Sequence, residues 1–266
     1  MESATVNEKS ALKIVREPRV YLVGRQTVDD GAVARFLGEH GLAWQTDTEV
    51  GAEQLAEMAG RVCYMSYGKG RKTNREFLSH IVEVGHGSVL EHGVWSFVIT
   101  GVSRSFTHEL IRHRHFSYSQ LSQRYVNESD SDFIEPDAIA EVPELHAIWS
   151  QAVEATRLAY DRLVEGLQER YREIPEATLR RKLARQAARS VLPNATETKI
   201  FVTGNARALR HFIELRGSEH ADVEIRRVAV AVLRLMQEEA PSLFGDYTLV
   251  PLGGGEFATH TDHPKV

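Results

Sequence analysis

Pro143 opens and Pro175 closes a stretch with one continuous apolar stripe: Leu145, Ile148, Trp149, Ala152, Ala155, Leu158, Ala159, Leu163 and Leu167. Proline suits the first turn of a helix and ends one further along, so the spacing predicts a long helix to about Arg172. Any fold must find cover for that stripe. Strand signals lie on both sides of it. Val20-Tyr21-Leu22-Val23 reads as a short strand closed by Gly24. Val94 to Thr100 sets Trp95, Phe97 and Ile99 on one face, and Thr196 to Thr203 alternates in the same way. The expected class is α+β: a single mixed domain with a central, mostly antiparallel sheet flanked by long helices. Residues 1–17 are expected to be a flexible segment, 18–250 the single folded domain and 251–266 a tail.

Shorter helices fill the gaps. From Ala52, the apolar residues Leu55, Met58, Ala59, Val62 and Cys63 keep a helical period. Residues 64–73 form a basic turn without the spacing of a phosphate loop. Thr73 or Asn74 caps a helix that ends at Gly85, Ser103 caps one running to about His113, and Asn205 caps one ended by Gly217. Residues 177–191 and 219–240 complete the helices. Residues 123–126 are expected to return as strand, and the acidic stretch 127–142 to be a surface loop. Residues 29–50 show no clean period.

The run Arg112-His113-Arg114-His115-Phe116-Ser117-Tyr118-Ser119-Gln120-Leu121-Ser122-Gln123-Arg124 carries the chemistry. It has three arginines and three serines but no lysine or acid. Hydroxyl and forked guanidinium donors are what a phosphate needs, and the glutamine amides can read a heterocycle. Glu109 is too little carboxylate for the arginines at 104, 112, 114 and 124, so an anionic guest is expected. The whole chain has a net charge of −5, which argues against a general nucleic-acid binder. A nucleic-acid module using 104–124 and 177–189 is the alternative. A metal-dependent hydrolase using His86, His92, His108, His113 and His115 is a third reading, weakened by the neighbouring arginines. No metal is expected. Cys63 reads as inert packing rather than a nucleophile, and no dinucleotide glycine fingerprint is present. One cysteine, a polar N-terminus and no spanning apolar run point to the cytoplasm, with no membrane partner.

Arg112-His113-Arg114, seven residues, then Ser122-Gln123-Arg124 resembles the signature of the flavin-dependent thymidylate synthases. The resemblance extends from His86-Gly87-Ser88-Val89-Leu90-Glu91-His92 to Glu219-His220-Ala221-Asp222-Val223-Glu224. It implies a transferase that makes dTMP from dUMP. The carbon comes from methylenetetrahydrofolate and the hydride from FAD reduced by NADPH. It also implies a homotetramer with FAD sites shared between subunits. Carried over, Ser88, Arg112, His113, Arg114, Gln120, Asn205, Ala206, Arg207 and His211 contact FAD. The nucleotide falls to Glu109, Leu110, Ile111, Arg112, Gln120, Leu121, Ser122, Gln123, Arg124, Arg189 and Arg216. His86 lies by the flavin ring and folate, and Arg216 and His86 are the catalytic candidates. The physical reading agrees. Ser122, Arg124 and Arg189, the last expected to turn inward, suit a 5′-monophosphate. A cation at Arg216 against the uracil edge would stabilise charge developing at N3 and O4, and so make C5 more nucleophilic without a cysteine.

Overall fold

A computed structural model describes residues 12–266. In chain order the elements are β1 (Ile14–Val15), β2 (Arg19–Gly24), α1 (Asp30–Glu39), α2 (Gly51–Tyr64), α3 (Asn74–Glu83), α4 (Gly87–Leu90), β3 (Val94–Ser103) and α5 (Arg104–Leu110). Then come β4 (Ser117–Gln120), β5 (Phe133–Ile134), α6 (Asp137–Ala140), α7 (Pro143–Arg170) and α8 (Ala177–Ala188), which ends in a 3-10 turn, Arg189–Val191. The chain closes with β6 (Glu197–Asn205), α9 (Ala206–Arg216), α10 (Val223–Glu239), α11 (Pro241–Phe244), β7 (Thr248–Gly253) and β8 (Glu256–His260). Four strands form a sheet in the order β2–β3–β6–β4, and β7 pairs antiparallel with β8. The expected mix of helices and antiparallel sheet holds. No helix among the described residues is long and apolar enough to cross a membrane.

The described chain divides into two compact units, each assembled from separate stretches. One holds the residues up to Glu17, Thr100–Thr107 and Gln120–Lys199; the other holds Pro18–Ile99, His108–Ser119 and Ile200–Val266. In the first unit α7 packs on α8, with Tyr160, Val164 and Ala188 buried and Leu167, Val191 and Leu192 against them. In the second, α10 buries Ile225, Val228, Ala229, Val232, Leu233 and Met236. The expected face of β3 is confirmed: Trp95, Phe97 and Ile99 are buried, alternating with half-buried neighbours.

Two helices turn the other way from their apolar stripes. On α2 the buried residues are Ala52, Glu53, Ala56, Glu57, Gly60 and Arg61, while Val62 and Cys63 are exposed. Buried charge is tolerated there because it is fully bonded. Arg61 pairs with Glu57 at 2.7 Å, and Glu57 also accepts from Trp44, Thr46 and Asn74. Gly60 lets the ring of Phe77 close on the helix, since a Cβ there would lie 2.8 Å from it. On α7 the buried face is Val153, Arg157, Tyr160, Asp161 and Val164, and Leu145, Ile148 and Leu163 of the expected stripe are exposed.

Other expectations are corrected in detail. Residues 29–50 contain α1, whose N-cap Asp29 accepts from Ala32. Residues 123–126 are a turn; the strand is β4, a few residues earlier. The stretch 127–142 is not a bare surface loop. Phe133 and Ile134 are buried and pair parallel with Ile14 and Val15. The part of the expected flexible segment at 14–15 is therefore a strand, and residues 1–11 lie outside the described residues. β7 runs through residue 250, where the tail was expected to begin.

Candidate active site

The second unit builds a cavity around the start and one face of α9. Asn205 caps the helix by accepting from the Ala208 N–H, and the Ala206 N–H donates to the carbonyl of Gly93. The cap turns the first residues of α9 toward a cavity of about 590 Å³, lined in part by Glu91, His113, Asn205, Arg207, His211 and Val266. With those two N–H groups taken, what the helix start offers a phosphate is its partial positive charge. Arg207 adds a guanidinium, held by Glu91 at 2.6 Å. Gly87 makes room for it, since a Cβ there would lie 2.9 Å from its Nε.

At its other end α9 presents Arg216. Its Nη1 donates to Glu109 at 2.7 Å, and its Nε donates to His113 Nε2 at 3.1 Å. A guanidinium can only donate, so His113 Nε2 accepts and the ring is neutral there. Burial pushes the imidazole down to about 4, and the charges of Arg216 and His211 act in the same direction. The ring stacks on Phe116 at 5.9 Å and meets Phe212 edge-on at 5.2 Å. Phe116 in turn fills the space over Gly204, where a Cβ would lie 2.4 Å from its ring. Tyr118 ties the segment down from below, donating to the carbonyls of Leu110 and His113, and burial raises its hydroxyl well above the usual value.

Of the expected flavin contacts, His113, Asn205, Arg207 and His211 are gathered at this cavity. Ala206 is fully buried and its N–H is taken by Gly93; Ala208 lines the cavity instead. Ser88, Arg112 and Arg114 are exposed. Gln120 donates to the hydroxyls of Thr107 and Thr198. Among the nucleotide candidates, Glu109 meets Arg216, Leu110 is buried and lends only its carbonyl, and Ile111 is exposed. His86 is exposed and stacks on Tyr64 at 6.4 Å.

The first unit holds the remaining candidates. The Leu121 N–H donates to Lys199, and Ser122, Gln123 and Arg124 form a turn closed by the Tyr125 and Val126 N–H groups on the Ser122 carbonyl. Arg104 donates to the carbonyl of Leu121 at 2.9 Å, and Arg185 to that of Tyr125. Arg189 was expected to turn inward. It is exposed, because the 3-10 turn at the end of α8 carries it off the buried face marked by Ala184 and Ala188. Sequence reasoning missed Glu91, His115, Lys265 and Val266 in the cavity wall. Glu91 had a signal, since it sits in the polar cluster 86–92; the last two had none.

The model of the thymidylate synthase complementing protein family matches residues 46–242. A flavin-dependent thymidylate synthase of Mycobacteroides abscessus is 56% identical over 223 residues, 83% of this chain and 89% of that one. The chain belongs to the flavin-dependent thymidylate synthase family. A further member, from Mycobacterium tuberculosis, is 54% identical over 228 residues, 84% of this chain and 91% of that one. A solved structure with a related fold is a UMP/dUMP methylase, PolB, from Streptomyces cacaoi, bound with 5-Br UMP. Its TM-score is 0.63 at 22% identity, covering 89% of this chain and 96% of that one. Within the family the cavity's chemistry is coherent: a helix start, Arg207 and two histidines suit the diphosphate and ring edge of a flavin dinucleotide.

Proposed function

We propose that this chain makes dTMP from dUMP by reductive methylation, with methylenetetrahydrofolate as carbon donor and FAD, reduced by NADPH, as hydride donor. The observation that carries the reading is the Arg216–Glu109–His113 cluster beside a cavity lined by His211, Asn205 and Arg207. The flavin, when bound, supplies the two-electron reduction that the protein's own side chains cannot. His113, Asn205, Arg207 and His211 hold it, with Ser88, Arg112, Arg114 and Gln120 completing the contacts.

Arg216 acts on the pyrimidine. A guanidinium against N3 and O4 stabilises negative charge there and raises electron density at C5. Neutral His113 accepts from Arg216 without repelling it, so the cation keeps its direction. Glu109 holds the other arm. Ser122, Arg124 and Arg189 take the monophosphate, with Gln120, Leu121 and Gln123 beside the nucleotide, drawn from the copies that build each site. His86 stands by the folate. Cys63 is exposed at the end of α2 and has no part in the reaction.

The enzyme is a homotetramer with shared flavin sites, working in the cytoplasm. Support for the assembly is the apolar stripe of α7, which leaves Ile148 66% exposed, and the exposed Val62, Tyr64 and Met65 at the end of α2. An absorbance spectrum tests the reading. The protein should be yellow, bleach under NADPH, and change its flavin bands on adding dUMP. Protein that stays colourless after reconstitution with FAD and forms no dTMP overturns it.

A further inference from the structure

The turn between α2 and α3 takes no part in the chemistry above, yet it is built with unusual firmness. Arg61 is 3% exposed and paired with Glu57, and its remaining N–H groups donate to the carbonyls of Ser66 at 3.1 Å, Lys69 at 3.2 Å and Arg71 at 2.9 Å. Left-handed residues at Met65, Gly68 and Gly70 allow those carbonyls to point inward. Lys69, Arg71 and Lys72 are left exposed, with no carboxylate in salt-bridge range among the described residues.

They line one pocket together with the apolar side chains of Leu37, Ala43 and Trp44 and the amide of Gln45. Trp44 is fixed. Its Nε1 donates to Glu57 at 3.1 Å, and Tyr67 meets its ring edge-on at 6.3 Å. The pocket holds about 480 Å³, and none of the described residues that line it is acidic. An aromatic and aliphatic lining shared with three exposed cations suits a heteroaromatic ring that carries several phosphates.

We propose that this cavity binds the adenosine end of NADPH, its purine against Trp44 and Leu37 and its phosphates against Lys69, Arg71 and Lys72. The proposal rests on the functional reading above, which makes NADPH the reductant. The other phosphates of that reaction have donors elsewhere: the flavin's at Arg207 and the start of α9, the nucleotide's at Ser122 and Arg124. Tyr64, which leads into the basic turn, stacks on His86, so the turn continues from the residue assigned to the flavin and folate.

Calorimetric titration of the flavin-loaded protein tests it, with adenosine 2′,5′-bisphosphate against 5′-AMP as probes. Wild type should bind the bisphosphate about tenfold or more tightly, because charge-assisted bonds to the extra phosphate are strong. Replacing Lys69, Arg71 and Lys72 together by Ala should erase that preference. Flavin bleaching by NADPH should then slow to the rate seen with NADH, while bleaching by NADH and by dithionite stays unchanged. Lys72→Ala alone should give a partial loss. Equal binding of the two probes by wild type, or a triple variant that still prefers the bisphosphate, overturns the proposal. So does displacement of the bisphosphate by a γ-glutamyl peptide at equal concentration, which would mark the site as one for the folate tail. Failure of the function itself reads differently: no dTMP forms, even with dithionite as reductant.

Discussion

Helices α10 and α7 carry the same kind of apolar stripe, and the chain treats them in opposite ways. On α10 the stripe is the core: Ile225, Val228, Ala229, Val232, Leu233 and Met236 are all buried. On α7 the residues turned inward include Arg157 and Asp161, while Leu145, Ile148 and Leu163 face outward. Burying a large aliphatic side chain is worth roughly 1.5–3 kcal/mol, so a stripe left in water forgoes several such terms. The difference teaches that α10 is completed within one chain, and it supports the proposal that α7 is completed by another copy.

The sharpest way to break that comparison is to truncate one stripe and charge the other. Leu233→Ala should cost about 2–5 kcal/mol in a urea titration, as a buried leucine does. Ile148→Asp should leave the fold of a single copy within about 0.5 kcal/mol, yet shift the mass seen by light scattering below that of four copies. If Ile148→Asp unfolds the chain, or leaves the mass unchanged, α7 is not an interface.

Smaller effects sharpen the contrast inside the second unit, where α9 is satisfied by its own chain. Arg216→Ala should keep flavin binding and lower dTMP formation by about a hundredfold, the loss typical for one donor to a developing charge; full turnover would remove Arg216 from the chemistry. His113 adds a pH dependence. Its folded pKa of about 4 lies below the ordinary histidine value, so the unfolded chain binds the proton first. The stability it contributes is complete above about 6.5 and fades as pH falls toward 4, by no more than about 3 kcal/mol. Urea midpoints should fall over that window, and fall less for His113→Asn. Cys63→Ala should change neither stability nor rate measurably; an inactive but folded and yellow variant would reopen covalent catalysis.

Elements with a local cause were legible from the sequence. The alternation around Trp95, Phe97 and Ile99 gave β3, and the caps at Thr73, Ser103 and Asn205 each accept the expected N–H. Inward faces were less legible. A periodic stripe tells that one face is apolar, not where its partner lies. The buried side of α2 is decided by Trp44, Thr46 and Asn74, which no helical period reveals. β5 is two residues long, too short to show a period. At the site, composition suggested an anion, and the family resemblance named His113, Asn205, Arg207 and His211, which the fold gathers at one cavity. The pairing of Glu109 with Arg216, on residues 107 apart in sequence, needed the fold.

The last strands reach back to this machinery. Thr259 donates through its N–H to Gly217 and through its hydroxyl to Ile213, closing the end of α9 that bears Arg216. Lys265 and Val266 then form part of the cavity wall. Substituting Lys265 or Val266 therefore alters the chamber itself, as directly as a change on α9 would.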